Sequence, residues 1–525
     1  MKHRLQTFLL LAALSTACAL HAQVIPTIQW QQSLGGNGID FAQSIQQTTD
    51  GGYIVAGQSG STDGDVTGNH GNNDYWIVRL DTAGGLVWQK SLGGSDNDLG
   101  NSIQQTTDGG FIVAGNCRST DGDVTGNHGL NDYWVVKLDA SGVISWQKSL
   151  GGTGVDIAHS VEQTSDGGYI VSGISNSTDG DVSGNHGGFD YWVVKLNSDG
   201  SLDWQKTLGG SDYDEGFSAK QTSDGGYIVA GASASTNGNV TGNHGALDYW
   251  IVKLDADGNL VWQKALGGNS DDGASSAEET TDGGFIVEGY TNSNNGNVTG
   301  NHGGGDYWIV KLDATGNIVW KKCLGGTLLD YASSVQQSLG DGYIVAGYSS
   351  STNGDVTVNH GSSDYWLVKL DESGALVWQK SLGGTTSETS SGVQQTADGG
   401  FVVTGSSNSN NGDVSGNHGF EDYWVVKLTT DGITGIPSLS NSFISIYPNP
   451  ATTQLYIHFT TLFEGSCSQD EEVTVLNILG EQVMKETASS QSDNITLDIS
   501  ALPSGAYIIQ LATVKEIIRA KFVKE

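Results

Sequence analysis

The stretch DYWVVKLDASGVISWQKSLGG, residues 132–152, decides the fold of this chain. Its two tryptophans, Trp134 and Trp146, each belong to a series that recurs every 58 residues without slippage. All fourteen tryptophans fall in these two series, so the sequence holds seven copies of one unit and predicts a repeat architecture. The series are Trp30, Trp88, Trp146, Trp204, Trp262, Trp320 and Trp378, and Trp76, Trp134, Trp192, Trp250, Trp308, Trp366 and Trp424.

Each 58-residue unit is predicted to form four strands joined by polar loops. In the second unit we expect them at residues 101–105, 111–115, 132–138 and 143–150, and we name them A, B, C and D. Their apolar residues stand at consecutive positions, as in YWVVKL, which is typical of strands covered on both faces. The blades of a propeller are covered in this way because each sheet stacks on its neighbours, and seven four-stranded blades fall within the usual range.

The two ends of the array indicate a closed ring. The first repeated strand, residues 28–34, is of type D and stands alone. The last, residues 423–428, is of type C and no D strand follows it, so the first strand can complete the last blade. We therefore predict an all-β chain with a seven-bladed β-propeller. The alternative is a β-solenoid, which needs capping repeats that the sequence does not show.

Different segments flank the array. Residues 1–22 combine a basic start, an apolar run and small residues, which is typical of a secretory signal peptide. We assign residues 23–428 to the propeller, 429–441 to a polar linker and 442–525 to a second domain. No later stretch is long and apolar enough to be predicted as a transmembrane segment.

The last domain carries the motifs YPNP at 447–450, Asn477 with Leu479-Gly480, LPSG at 502–505 with Tyr507, and KFVK at 521–524. Together they resemble the type A C-terminal sorting domain of the type IX secretion system of Bacteroidetes. The resemblance implies a small β-sandwich that the translocon and sorting machinery recognise, and a product that is secreted or attached to the outer cell surface. The repeats likewise resemble propeller repeats of secreted Bacteroidetes proteins. The residues that match the sorting signal are Pro448, Asn449, Pro450, Gly480, Gly505, Lys521 and Lys524.

The charge of the chain excludes some partners. It has 23 basic and 58 acidic residues, a formal net charge of −35. Nucleic acid and anionic lipid surfaces are bound through clusters of lysine and arginine, so we expect neither as a partner. We expect a monomer that requires no cofactor.

Functional residues are sought on one face of the ring. In an antiparallel four-stranded blade the B–C loops and the D–A connections emerge together, opposite the A–B and C–D hairpins. Every D–A connection has an acid that either forms a carboxylate ring or bonds the neighbouring loop: Asp40, Asp98, Asp156, Asp214, Asp272, Asp330 and Glu388. Every B–C loop has a histidine that we expect to bond backbone atoms: His70, His128, His186, His244, His302, His360 and His418.

Calcium is the metal that the B–C loops would suit best. In the first three units the loop keeps two alternating carboxylates, which are hard oxygen ligands. The alternative is a tight loop held by Asx turns, in which Asp and Asn are interchangeable, and later units do replace Asp by Asn. Zinc is not expected, because one histidine per blade cannot build a tetrahedral site. The candidate calcium ligands are Asp63, Asp65, Asp121, Asp123, Asp179 and Asp181.

Positions that break the sevenfold repeat are the candidate ligand-binding residues. They lie just before each Asp-Tyr-Trp and beside the D–A acid, and they give one face an uneven rim. Aromatic side chains at these positions can stack on sugars or peptides, or can pack between loops. The candidates are Phe189, Tyr213, Tyr331 and Phe420.

Three functions remain open from the sequence. The first is a non-catalytic binding module for an extracellular glycan or protein, which the symmetry and the export signals favour. The second is a carbohydrate-active hydrolase, endoglucanase-like, with acid pairs Asp214 and Glu215 or Asp271 and Asp272. The third is a quinoprotein-like oxidoreductase. The turn Leu-Asp-x-x-Gly-x-x-x-Trp resembles turns of pyrroloquinoline quinone propellers, but the sequence shows no cradle for that cofactor.

Overall fold

The computed structural model describes residues 24–338, 342–431, 444–447, 451–459, 471–477, 482–488, 494–503, 505–512 and 517–524. Within these ranges all regular elements are β-strands. The predicted signal peptide and most of the predicted linker lie outside the described residues. The boundaries of the domains therefore stay predictions.

Seven four-stranded antiparallel sheets form the ring, in the order A, B, C, D within each blade. The strands are, in blade 1, β2 (Asp40–Gln47), β3 (Tyr53–Ser59), β4 (Asp74–Leu80) and β5 (Leu86–Leu92); in blade 2, β6 (Asp98–Gln105), β7 (Phe111–Cys117), β8 (Asp132–Leu138) and β9 (Ile144–Leu150); in blade 3, β10 (Asp156–Gln163), β11 (Tyr169–Ser175), β12 (Asp190–Leu196) and β13 (Leu202–Leu208); in blade 4, β14 (Asp214–Gln221), β15 (Tyr227–Ser233), β16 (Asp248–Leu254) and β17 (Leu260–Leu266); in blade 5, β18 (Asp272–Glu279), β19 (Phe285–Thr291), β20 (Asp306–Leu312) and β21 (Ile318–Leu324); in blade 6, β22 (Asp330–Gln337), β23 (Tyr343–Ser349), β24 (Asp364–Leu370) and β25 (Leu376–Leu382); and in blade 7, β26 (Glu388–Gln395), β27 (Phe401–Ser407), β28 (Asp422–Leu428) and β1 (Ile28–Leu34).

The ring is closed by the first strand, as the sequence predicts. Strand β1 pairs antiparallel with β28, with Leu34 opposite Tyr423 and Ile28 opposite Leu428. Just beyond the strands, the Thr429 N–H donates to the Thr27 carbonyl at 2.9 Å. The seven-bladed propeller is confirmed, and the β-solenoid is not what the chain forms.

Strand A begins earlier than predicted. In blade 2 we expect it from residue 101, but β6 begins at Asp98, the repeated acid itself. A bulge between Gly100 and Ser102 shifts the pairing with β7. The apolar pattern of the sequence therefore does not reveal that strand A includes residues 98–100. The repeated acids are therefore the first residues of the innermost strands and not loop residues.

All fourteen tryptophans lie between blades. The strand C series packs against a tyrosine of the preceding blade: the Tyr75 ring lies 4.6 Å from Trp134, and its hydroxyl donates to the Trp134 carbonyl at 2.8 Å. The same pair recurs at the closing seam, where Tyr423 lies 4.5 Å from Trp76. The strand D series packs edge-on against the first residue of the next strand B, as Trp88 does on Phe111. Burial of these aromatic side chains between blades holds the propeller together.

The hairpins on the opposite face depend on a buried cation. Lys137, near the end of strand C, donates to the Leu138 carbonyl at 3.0 Å and forms an ion pair with Asp108 at 3.0 Å. Asp108 begins the Asp-Gly-Gly turn, in which Gly109 has a φ of 83°, a value that glycine adopts without strain. The ion pair and hydrogen bonds from Thr106 and Gly110 lower the pKa of Asp108 to about 2 against its burial.

The C-terminal domain has two sheets. One contains β29 (Ile444–Tyr447), β30 (Gln454–Phe459) and β33 (Asn494–Asp498), and the other β31 (Glu471–Asn477), β32 (Gln482–Ala488), β34 (Gly505–Ala512) and β35 (Ile517–Lys524). Leu455, Val475 and Ile509 share one buried core with residues of both sheets, so the domain is a β-sandwich. Of the sorting-signal residues, Gly505 lies in β34 and Lys521 and Lys524 in β35. Pro448, Asn449, Pro450 and Gly480 lie outside the described residues.

Candidate functional site

The two sets of variable positions meet at the seams between blades. The first residue of each strand A donates its backbone N–H to the carbonyl of the residue just before Asp-Tyr-Trp in the preceding blade. The bonds join Asp40 to Glu421, Asp98 to Asn73, Asp156 to Asn131, Asp214 to Phe189, Asp272 to Leu247, Asp330 to Gly305 and Glu388 to Ser363, at 2.6 to 2.8 Å. We call these seven junctions the rim seams. Each rim seam places two non-repeated side-chain sets side by side on the face of the B–C loops.

The repeated acid holds its own connection. The buried Asp98 carboxylate accepts hydrogen bonds from the Gly94 N–H at 2.8 Å and the Ser119 hydroxyl at 2.7 Å. Burial raises its pKa, and these hydrogen bonds oppose the rise. The equivalent acids have equivalent partners, such as Gly152 and Ser177 for Asp156. These carboxylates bond the adjacent loop and do not project into the channel as a free ring.

The repeated histidine bonds a side chain, where we expected backbone. The Nδ1 atom of His70 lies 2.7 Å from Oδ2 of Asp74, and the His70 N–H donates to the same oxygen at 2.9 Å. The Nε2 atom of His70 faces Asp123 of the next blade at 3.9 Å. Our expectation was wrong in this detail, although the constant four-residue spacing of His and Asp in every unit is a signal for it.

The Gly-Gly pair after strand D is required by two buried carboxylates. A Cβ atom on Gly93 would stand 2.7 Å from Oδ1 of Asp74 and 2.7 Å from Oδ2 of Asp98. The Asp74 Oδ1 atom has no hydrogen-bond partner among the described residues. Any side chain at this position would collide with both carboxylates, so all seven seams use glycine.

The candidate calcium ligands bond backbone amides. The Asp121 carboxylate accepts from the Ser95 N–H at 2.8 Å, and Asp123 accepts from the Gly93 N–H at 3.3 Å. In blade 4 the side-chain oxygen of Asn237 accepts from the Ser211 N–H at the same 2.8 Å, which explains why Asp and Asn interchange. Matching bonds are made by Asp63, Asp65, Asp179 and Asp181. Within the described part of the chain, no three His, Cys, Asp or Glu side chains group to hold a metal ion.

Phe189 and Tyr213 are brought together at the rim seam between blades 3 and 4. Their rings meet edge to face with centroids 5.7 Å apart. Phe189 is half-buried and Tyr213 is 37% exposed. The Tyr213 hydroxyl donates to the Glu215 carboxylate, and both this bond and burial raise the pKa of Tyr213.

A histidine that the sequence analysis missed completes this cluster. The Nε2 atom of His159 lies 3.1 Å from Oε1 of Glu215, but off the direction of a hydrogen bond, so the atom is buried without a hydrogen-bond partner. The His159 ring lies 5.0 Å from the Phe217 ring. His159 is the one histidine of residues 23–428 outside the repeated series, which is the signal that could have found it.

Tyr331 lies in a stack of three tyrosines on blades 5 and 6. Its ring centroid is 4.9 Å from that of Tyr290 and 5.7 Å from that of Tyr348, with interplanar angles of 24° and 11°. The Tyr290 ring lies over Gly273, where a Cβ atom would stand 2.6 Å from Cε1 of the tyrosine. Both faces of Tyr331 are therefore covered, and the residue offers a ligand no open ring face.

Phe420 stands apart from the other three candidates. It directly precedes Glu421, which bridges to Ile39 at the rim seam between blades 7 and 1, and it is 74% exposed. Its ring contacts none of Phe189, Tyr213 or Tyr331 among the described aromatic contacts. The four predicted residues thus occupy three separate places on the same face.

The acid pairs of the hydrolase hypothesis are not equivalent carboxylates. Asp214 and Asp272 are buried and accept from Gly210 at 2.8 Å and Gly268 at 2.7 Å, as the acids of the other blades do. Glu215 is bonded to Tyr213, and Asp271 is exposed. In each pair, one carboxylate holds the fold.

The central channel is a cavity of about 460 Å³ lined by the strands A. A collar of seven side chains circles it: Gln46, Gln104, Glu162, Lys220, Glu278, Gln336 and Gln394. Six of them accept a hydrogen bond from a backbone N–H of the next blade, at 2.5 to 3.0 Å. Lys220 cannot accept one and instead bonds Glu162 of the preceding blade at 3.1 Å, which raises the pKa of the lysine.

One buried carboxyl has no partner. Both carboxyl oxygens of Glu288 are buried without a hydrogen-bond partner among the described residues, and burial raises its pKa well above the usual range. Blades 1, 2, 4 and 6 have alanine here: Ala56, Ala114, Ala230 and Ala346. The sequence analysis did not single this residue out, although the break in the repeat is visible.

Comparison with known families assigns the C-terminal domain. Residues 445–525 match the family described as the secretion system C-terminal sorting domain. The tail is such a sorting domain. The match confirms the resemblance to the type IX sorting domain and indicates a product that is secreted or attached to the outer cell surface.

The ring has more distant relatives. The chain is 26% identical over 403 residues to the regulatory protein FlaEY of Caulobacter vibrioides, covering 68% of this chain and 41% of that protein. Among solved structures, the extracellular domain of a one-component system from B. thetaiotaomicron is 10% identical with a TM-score of 0.40, covering 96% of this chain and 58% of that one. A puromycin hydrolase is 13% identical with a TM-score of 0.40, covering 83% and 61%. Similarities at this level carry no argument about function.

Within the described residues, no helix has the length and apolar character needed to cross a lipid bilayer.

Proposed function

We propose that the propeller is a non-catalytic binding module that acts outside the cell on an extracellular glycan, after export through the type IX system. The observation that carries this proposal is the geometry of the rim seams. A symmetric scaffold brings two variable positions together at each seam, so the seven seams differ in chemistry while the ring stays the same. Such a division between a constant frame and variable loops is typical of binding proteins.

The chemistry of the rim favours a glycan over an anionic partner. The exposed aromatic residues Tyr213 and Phe420 lie at rim seams, and in sugar sites such rings cover the apolar faces of the sugar while polar groups bind its hydroxyls. The acidic chain repels nucleic acid and anionic surfaces. A protein is the other ligand for which this face is suited. The translocon is a separate partner, which recognises the sorting domain.

Hydrolysis is the second candidate. The geometry gives hydrolysis less support, because the carboxylates of Asp214 and Asp272 are used to hold the loops of their blades. Glu215 and Asp271 are therefore left without a second free carboxylate in their pairs. A glycosidase requires two carboxyl groups on opposite sides of the scissile bond. The hypothesis predicts the loss of product release in Asp214→Asn and Asp271→Asn.

The test uses the purified full chain with a panel of insoluble and soluble polysaccharides. Depletion of protein from solution and the release of reducing ends are measured in the same samples. Depletion without new reducing ends is the expected result. New reducing ends that disappear in Asp214→Asn or Asp271→Asn would replace the proposal by the hydrolase, and no depletion from any polysaccharide would move the search to protein partners.

A further inference from the structure

We infer that the rim seam between blades 3 and 4 is the main glycan subsite of the ring, and that an uncharged sugar unit binds there against Tyr213. This inference rests on the proposed function and names its site and ligand class. At this seam an aromatic residue stands on each side, Phe189 before the Asp-Tyr-Trp of blade 3 and Tyr213 in the connection to blade 4, and the two rings are in contact. Phe420 and Phe41 also lie at the seam between blades 7 and 1, but a contact between their rings is not among the described ones.

Tyr213 is held in place before any ligand arrives. Its ring meets the Phe189 ring at 5.7 Å, and its hydroxyl donates to Glu215. Tyr213 as a whole remains 37% exposed while its ring is held in a fixed orientation. A side chain that is already ordered loses little conformational entropy on binding, and this improves affinity. Tyr331 cannot serve in the same way, because its two neighbours in the tyrosine stack cover both of its faces.

Polar groups for sugar hydroxyls adjoin the ring. Glu215 and His159 are side by side, with 16% and 20% of their side chains exposed. The Nε2 atom of His159 is buried and lies 3.1 Å from Oε1 of Glu215, so the histidine positions this carboxylate. The Glu215 side chain is partly exposed, and its carboxylate can accept a hydrogen bond from a sugar hydroxyl. The six equivalent positions to His159 hold Gln43, Asn101, Phe217, Ser275, Ser333 and Ser391.

The charge at this seam selects an uncharged sugar. Asp212 precedes Tyr213 in the same connection and is exposed, and Glu215 follows it. Asp271 is exposed in the next connection, and Coulomb interaction with both Asp271 and Glu215 contributes to the raised pKa of Tyr290. A uronic acid or a sulfated sugar would meet several carboxylates of its own sign, which costs binding free energy.

The test measures retention of the full chain and its variants on neutral laminarin and mannan and on anionic alginate. Tyr213→Ala is expected to weaken retention on the neutral polymer about tenfold, because the loss of one stacking contact is worth about that factor. Tyr213→Phe keeps the ring and is expected to retain most of the binding. His159→Gln and Glu215→Gln are expected to weaken it less than Tyr213→Ala. Phe420→Ala removes the exposed aromatic of another seam and is expected to weaken retention less than Tyr213→Ala. Val261→Ala is the control: this exposed residue lies in the outer strand β17, away from the rim seams, and the variant is expected to bind as the parent does.

Failure of the inference and failure of the proposed function give different results. No retention on any polymer would overturn both. If the parent is retained and Tyr213→Ala is retained equally well, the subsite is overturned. The same holds if Phe420→Ala loses retention and Tyr213→Ala does not. In both cases the proposed binding module still stands. Preference for alginate would overturn the assignment to uncharged sugars. Melting temperatures of all variants exclude unfolding as the cause of a loss.

Discussion

At the scale of single residues, the ring shows what a break in sevenfold symmetry costs. Glu288 occupies a position that is alanine in four other blades, and its carboxyl group is buried without a hydrogen-bond partner. Burial of an unpaired ionisable group opposes folding unless the group takes up a proton. The raised pKa of Glu288 expresses this cost.

Glu288→Ala is therefore expected to stabilise the folded ring at pH 7.5. The free energy of unfolding should rise by roughly 1 to 3 kcal/mol, the usual cost of an unsatisfied buried polar group less the cost of a small cavity. The measurement is denaturant unfolding of the variant and the parent at pH 7.5 and 5. The gain should shrink at pH 5, because the penalty of a raised pKa grows as the pH rises above the pKa that the carboxyl has in the unfolded chain. Glu288→Gln is the control, and a decrease in stability of Glu288→Ala at pH 7.5 would contradict the argument.

Other residues were predictable to different degrees. The interchange of Asp and Asn in the B–C loops predicts Asx turns, and Asp121 and Asn237 make the same bond to the backbone. The pairing of His70 with Asp74 was missed because an aspartate before an apolar strand looks like a solvent-exposed residue, whereas here it is buried between blades. Burial between elements depends on stacking, which one unit read alone does not reveal.

The repeated B–C loops give a prediction about calcium at the residue scale. The carboxylates of Asp63, Asp121 and Asp179 already accept backbone N–H groups. We propose that the loops are held by these bonds without metal, so millimolar calcium or a chelator is expected to leave the melting temperature unchanged. A calcium-dependent rise that is reversed by chelator and is lost in Asp121→Asn would show that the loops bind the ion after all.

At the scale of elements, the strands A form an interlocked collar around the channel. A side-chain oxygen of one strand accepts from the backbone of the next, and this joins the innermost edges of the sheets, which would otherwise present unpaired N–H groups. The chain breaks the collar at Lys220, whose ammonium group stands between Glu162 and Glu278. Charge compensation replaces one hydrogen bond of the collar.

The effects of substitutions in the collar on the free energy of unfolding should be strongly non-additive. Lys220→Met leaves Glu162 and Glu278 without their shared cation and is expected to lower the free energy of unfolding by roughly 1 kcal/mol, a partly exposed ion pair being worth less than a buried one. Combining Glu162→Gln, Lys220→Gln and Glu278→Gln should restore or exceed the stability of the parent, because all seven positions can then make the same bond. Denaturant unfolding measures both. Equal losses in the single and the triple variant would show that the collar does not contribute.

At the scale of the whole molecule, ring closure gives the seam between blades 7 and 1 the same contacts as the seams between blades that are consecutive in sequence. The Tyr423 hydroxyl donates to the Trp76 carbonyl at 2.9 Å, and the Tyr191 hydroxyl donates to Trp250 at 2.8 Å, although the first pair is 347 residues apart in sequence and the second 59. A closed ring unfolds as one unit only if each seam holds.

Tyr423→Phe and Tyr191→Phe are accordingly expected to destabilise the protein equally, by about 1 to 2 kcal/mol each, the cost of a buried hydrogen bond. Thermal or denaturant unfolding of the two variants checks this. A much smaller effect of Tyr423→Phe than of Tyr191→Phe would mean that the closing seam is already open in solution.

The repeated carboxylates predict how stability depends on pH. Burial raises the pKa of Asp306 to about 6 from the usual 3.8, and its equivalents shift in the same direction. A raised pKa means that the folded state binds the proton more tightly, so this contribution is complete below pH 3.8 and is lost as the pH rises through about 6. The carboxylates with lysine partners, such as Asp108 with a pKa of about 2, stabilise the folded state at pH values above 3.8. Their contribution to the free energy of unfolding is lost only when the pH falls below 3.8. Between pH 7.5 and 5, therefore, only the first group changes.

The denaturation midpoint is expected to rise when the pH is lowered from 7.5 to 5, with part of the rise absent in Asp306→Asn. Chemical unfolding at several pH values in this range measures it. The asparagine oxygen can still accept the bonds from His302, so the variant should remain folded. A midpoint that falls steadily as the pH is lowered would contradict the assignment of raised pKa values.

The sequence by itself determined the number of blades, their strand order, the closing strand and the destination of the chain. A strict period fixes the unit, and short motifs carry the sorting signal, so both can be read without knowing any contact. Only the tertiary structure decided which non-repeated residues become neighbours. The rim seams pair Tyr213 with Phe189 and His159 with Glu215, and the stack covers Tyr331. The physical reason is that these contacts cross from one blade to the next, and the angle at which the sheets stack, rather than the repeat itself, sets which side chains meet.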